Sequence, residues 1–159
     1  MRSRRRADKP RKPKNIRNYV LWLLGRREWG EHELRTRLAR RGCEAQEIDE
    51  ALAYAKEQGF QSDTRYASMR ARIDSSRRGN RRISYALKGK GISPDTIEQA
   101  ISDLDPEADR AIAAVSRFEG ATLDWRSKQK VWRFLGQRGF TPEAIRAAVA
   151  HLEQQVAAS

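Results

Sequence analysis

The sequence predicts an all-α protein: three tandem three-helix repeats forming an elongated, curved array behind a disordered basic N-terminal tail. Three observations carry this. From Ile16 onward, apolar residues recur at three and four spacing, and the alternating β-branched runs that would mark strands are missing. Nearly the same sentence occurs three times, as "LARRGCEAQEIDEAL" from Leu38, "LKGKGISPDTIEQAI" from Leu87 and "LGQRGFTPEAIRAAV" from Leu135. Only 38% of the 159 residues are apolar, so the core must be thin and distributed, as in a solenoid whose units bury their faces against neighbours.

Taken in order, residues 1–15 combine Lys and Arg with Pro10 and Pro13 and almost nothing apolar. Such a segment cannot offset the entropy of ordering, so a disordered basic tail is expected. Helical repeats are expected over 16–59, 60–104 and 105–159. Each begins with a helix, roughly 16–28, 63–77 and 106–119, with Gly30, Gly79 and Gly120 in or near the following breaks.

The rest of each repeat aligns on Gly42, Gly91 and Gly139, which lie 49 and 48 residues apart. Eight positions before the glycine stand Leu34, Ile83 and Val131, and four before stand Leu38, Leu87 and Leu135, which places them on one helical face. Six and ten positions after it stand Ile48 and Leu52, Ile97 and Ile101, Ile145 and Val149, a second amphipathic face. The glycine suits the left-handed residue that ends a helix, with Cys43, Ile92 or Phe140 as the apolar plug behind it. Ser93-Pro94-Asp95 and Thr141-Pro142-Glu143 supply an N-cap, a proline in the first helical position and an acid in the first turn. Cys43-Glu44-Ala45 lacks the hydroxyl and the proline.

The net charge of +12 is segregated. Residues 1–17 and 65–91 each carry nine Lys/Arg and one acid, whereas the remaining two stretches are slightly acidic. Blocks of positive charge seek polyanions, because neutralising phosphates releases counterions. In the middle block the candidate partner or DNA contacts are Arg65, Arg70, Arg72, Arg77, Arg78, Arg81, Arg82, Lys88 and Lys90. With 65–78 helical, Arg70, Arg77 and Arg81 fall seven and four apart and would make one cationic ridge. The bland reading of these cations is a solvated face, and charge alone does not separate a nucleic acid from an acidic protein surface.

A helix, a glycine turn and a second helix also describe a helix-turn-helix. The second helices, "EAQEIDEALAYAKEQ", "SPDTIEQAISDL" and "TPEAIRAAVAHLEQQ", are acidic or nearly free of cations and would repel phosphate, which argues against groove reading. Catalysis finds no support. Cys43 reads as core, and His32 and His151 stand apart from each other and from any metal-ligand cluster. Asp103, Asp105, Glu107 and Asp109 suit a helix start rather than a metal. Trp22, Trp29, Trp125 and Trp132 could stack on bases, but core and inter-helix packing is the favoured role. No cofactor or metal is expected. With one cysteine, no apolar run long enough to span a bilayer and no signal-type segment, a cytoplasmic protein without a membrane partner is expected.

Two stretches, Asp63-x-Arg65-Tyr66-Ala67 followed by a basic helix and Leu87-x-x-Lys90-Gly91-Ile92, make the chain resemble the RecX family of bacterial regulators of the RecA recombinase. The likeness runs from about Tyr19 to Leu152. Gly30 departs from it where a Ser cap is usual, and Ser62 where an acid is common. The resemblance implies a non-enzymatic protein, expected as a monomer, that binds the RecA nucleoprotein filament. It further implies inhibition of ATPase, strand-exchange and co-protease activities, modulating recombination, DNA repair and the SOS response, with single- or double-stranded DNA contacted weakly or indirectly. The competing reading is a general DNA-binding or architectural protein that acts without RecA.

Overall fold

The computed structural model describes residues 11–120 and 123–158. The described residues form nine α-helices and one short 3-10 helix, with no strand. Contacts divide the chain into two units, Met1–Tyr66 and Ala67–Ser159. Of the basic tail, residues 1–10 lie outside the described residues. Residues 11–15 are not helical, but Lys12 pairs with Glu47 at 2.7 Å and Asn15 caps the first helix by accepting from the Asn18 N–H.

The first unit holds α1 (Ile16–Leu24), α2 (Glu31–Arg40) and α3 (Ala45–Glu57). α1 is shorter than the 16–28 expected, because Gly25 ends it with an N–H bonded to the Leu21 carbonyl. It packs along α3, and Val20, Leu23, Leu34, Leu38, Ile48 and Leu52 close one core. α3 starts without hydroxyl or proline, as read, but gains a substitute: the Glu47 carboxylate accepts from the Glu44 N–H at 2.8 Å.

α4 (Asp63–Ser75) contains the division between the units, and α5 (Asn80–Gly89), α6 (Pro94–Ser102), α7 (Glu107–Ala114), a 3-10 turn (Ser116–Phe118), α8 (Trp125–Gln137) and α9 (Pro142–Ala157) follow. α7 packs along α9 as α1 does along α3. Ala111, Val115, Val131, Leu135, Phe140, Ile145 and Leu152 form the second large core.

The three glycine joints are superimposable in chemistry. Gly42, Gly91 and Gly139 have φ of 80°, 75° and 82°, the left-handed region where a Cβ is disfavoured. In each, the next residue's N–H reaches the leucine carbonyl five positions back at 3.2 Å, from Cys43 to Leu38, Ile92 to Leu87 and Phe140 to Leu135. The three plug residues are buried. Ser93 and Thr141 cap α6 and α9 with their hydroxyls, as the sequence proposed.

Candidate partner interface

The basic middle segment starts at α4, which Ser62 caps by accepting from the Arg65 N–H. The helix stops at Ser75, short of the 63–77 expected. The Arg70, Arg77, Arg81 ridge therefore does not form on one helix. Arg70 and Arg72 lie on α4, Arg77 and Arg78 in the turn, Arg81 and Arg82 in the first turn of α5, Lys88 in its last turn, and Lys90 just beyond it.

Three of the nine cations are engaged. Arg65 donates from Nε to Glu28 at 2.9 Å and from Nη2 to the Phe60 carbonyl at 3.1 Å, so it acts as a strut. Arg70 and Arg78 face Asp74 at 3.9 and 3.4 Å. Arg72, Arg77, Arg81, Arg82, Lys88 and Lys90 are exposed and have no side-chain partner among the described residues. The first unit treats its arginines differently: Arg17 lies over Tyr54, Arg27 over Trp29 while pairing with Glu33, and Arg41 over Tyr19. The middle segment thus holds six cations available.

The turn that displays them is built by residues from farther along the chain. The Gly79 N–H donates to the Arg138 carbonyl at 2.9 Å and the Arg81 N–H to the Gly139 carbonyl at 3.2 Å, joining the start of α5 to the glycine turn before α9. Arg110 of α7 donates to the carbonyls of Ser75 and Arg78 at 3.5 and 3.0 Å and to Asn80 Oδ1. Burial pushes its guanidinium below its ordinary value, with Glu107 and Asp105 pulling the other way. Glu107, read in the sequence as a dipole partner for its own helix, caps two others. It accepts from the Asn80 N–H at 2.7 Å and from the Thr141 hydroxyl at 2.7 Å.

A parallel device stands in the first unit. Asp63 accepts from the Glu31 N–H, the first of α2, at 2.8 Å, and from the Gln61 amide at 2.9 Å. Gly30 and Gly79 are N-caps with no side-chain acceptor of their own, and in both joints the first residue of a later helix supplies it. This explains Gly30 where a serine would be expected. Family-motif residues Asp63, Tyr66, Ala67, Gly91 and Ile92 are accordingly structural: a cap, two buried side chains, a left-handed turn and a plug. Lys90 caps the C-terminus of α5.

Burial pushes the Cys43 thiol up, and among the described residues no group of three His, Cys, Asp or Glu side chains could hold a metal ion. No helix is long and apolar enough to cross a membrane among the described residues. The core role expected of the tryptophans holds only for Trp29. Trp29 is buried, its Nε1 donating to the Leu23 carbonyl at 3.2 Å, but Trp22, Trp125 and Trp132 are 53%, 70% and 38% exposed. Trp132 is one residue past Val131, about 100° around the helix from the buried stripe.

The geometry defines a class: an all-α protein of repeated three-helix domains whose middle domain offers unpaired cations. Comparison with known proteins names the family. Its models for the first, second and third three-helix domains of RecX match residues 17–54, 62–101 and 110–149. The chain is 36% identical over 144 residues to the regulatory protein RecX of Pasteurella multocida, spanning 87% of this chain and 88% of that one. It is 37% identical over 127 residues to RecX of Actinobacillus pleuropneumoniae serotype 5b, spanning 77% and 83%. The crystal structure of RecX from Lactobacillus salivarius shares the fold with a TM-score of 0.77 at 18% identity, over 87% of this chain and 95% of that one. The chain belongs to the RecX family of regulatory proteins.

Proposed function

We propose that the protein is a non-enzymatic regulator that binds the RecA nucleoprotein filament and inhibits its ATPase, strand-exchange and co-protease activities. Recombination, DNA repair and the SOS response would be damped as a result, and DNA would be contacted weakly or through the filament. The observation that carries this reading is the arginine block at the start of α5. Arg81 and Arg82 occupy the first turn of that helix, where the dipole disfavours cations by about 0.3–1 kcal/mol each at exposed positions. A sequence that keeps unpaired arginines against the local electrostatics keeps them for an anionic partner.

The test is RecA ATP hydrolysis on single-stranded DNA with substoichiometric protein. The rate should fall, and an unchanged rate with folded protein refutes the proposal. Reversing the block (R77E, R78E, R81E, R82E) should abolish inhibition while helical content stays intact. Inhibition that survives shows these side chains to be solvated surface. A general DNA-binding role without RecA would instead appear as an unchanged RecA ATPase rate together with stable duplex binding by the protein alone at physiological salt, with log affinity falling steeply against log salt.

A further inference from the structure

We propose that α8 carries a stacking surface for unpaired nucleobases, built on Trp125 and Trp132. The two indoles are seven residues apart on one helix, hence on the same face and about 10 Å apart along its axis. Both are exposed, Trp125 at 70%. They line one shallow hollow with Lys128, Gln129 and Arg133. Two exposed indoles on one face form a surface that the domain's own core does not use.

The charge around them selects the occupant. The segment WRSKQKVWRFLGQ contains Arg126, Lys128, Lys130 and Arg133 and no acid. Among the described residues, two acids bond to it. Asp124 caps the helix by accepting from the Ser127 N–H at 2.8 Å, and Glu153 of α9 pairs with Lys128 at 2.5 Å. Arg126, Lys130 and Arg133 are exposed and make no side-chain hydrogen bond or ion pair among the described residues. Aromatic faces for stacking with cations for the phosphates beside them are what single-stranded nucleic acid requires. A duplex keeps its base faces stacked inside and can offer this surface only its phosphates.

The surface is separate from the arginine block, and the proposal does not rest on the recombinase reading. It is tested on the full chain without RecA. Affinities are measured by anisotropy for a labelled 20-nucleotide dT strand and for a labelled 20-base-pair duplex. Both will bind the chain's other cations, so the contrast between them is the readout. W125A/W132A should weaken dT binding about tenfold or more while duplex binding holds. W125F/W132F, which keeps an aromatic face, should restore most of the loss. Equal loss for both ligands, or no loss for dT, overturns the proposal; the latter would leave the face to a protein partner. A second measurement needs no destabilising change. In a W22F chain the only exposed tryptophans among the described residues are Trp125 and Trp132, and their fluorescence should be quenched by dT and not by the duplex. Absence of quenching by dT also overturns it.

Discussion

Replacing Gly79 with alanine should loosen the joint that displays the arginine block. Gly79 has φ −80° and ψ 171°, a conformation any residue adopts, so backbone strain plays no part. The obstacle is space. An added Cβ would stand 2.3 Å from both the Phe140 Cα and N and 2.4 Å from the Gly139 carbonyl carbon. All three are backbone atoms, and no rotamer change relieves them. The turn and the start of α5 must separate by about an ångström to restore van der Waals contact near 3.5 Å. That motion breaks the Gly79 to Arg138 and Arg81 to Gly139 hydrogen bonds, each contributing about 1 kcal/mol. It also disturbs the buried Phe140, and overpacking of this kind costs about 1–3 kcal/mol. The expected loss is about 3–5 kcal/mol in urea unfolding followed by circular dichroism. The control is G89A at the last residue of α5, where a Cβ meets nothing within 4 Å. It should be neutral or stabilising by up to about 1 kcal/mol. A G79A midpoint equal to wild type would refute the close-approach reasoning.

Two further outcomes follow from the caps and ion pairs. E107A should lose the acceptor for α5 and α9 together, destabilising by about 1–3 kcal/mol, and hydrogen exchange should show the Asn80 amide deprotected, with E107Q milder because it keeps an acceptor oxygen. Burial opposes ionisation of Glu31, but bonds from Lys56 and Arg35 outweigh it and hold its carboxyl below the ordinary 4.5. Its folded value being depressed, the unfolded state binds more protons in that window, so its stabilisation is present above pH 4.5 and is lost as pH falls through the folded value. The urea midpoint should therefore drop less steeply on acidification in E31Q than in wild type.

Much of the fold was legible because it is written locally. A left-handed glycine, the plug after it and a Ser-Pro or Thr-Pro cap act within a few residues, and the sequence shows all of them. What escaped is long-range or depends on fine angular placement. The acceptors for α2 and α5 come from residues 32 and 27 positions away, and Arg110 reaches back 32 positions to the Arg78 carbonyl. Acidic residues near a helix start have an adequate local explanation, so nothing in the string pointed to their distant clients. The cationic ridge failed for a related reason: two serines and two arginines are compatible with helix, and the end of α4 is set by the turn that Arg110 and the Gly79 contact require. Trp132 was misplaced by a single residue step, which on a helix is enough to turn a side chain from core to solvent. Arg65 carries a charge suited to a partner, and only its geometry shows it bound to Glu28.

The borrowed caps at Gly30 and Gly79 give the chain a direction in time. Synthesis delivers α2 before Asp63 and α5 before Glu107, so each of these helices leaves the ribosome with an open first turn that only later residues complete. α8 carries its own cap in Asp124 and waits for nothing downstream. A chain halted between Gly79 and Glu107 would present the arginine block on a helix not yet fastened at its start, and the joint would be complete only once the third domain has emerged as far as Gly139.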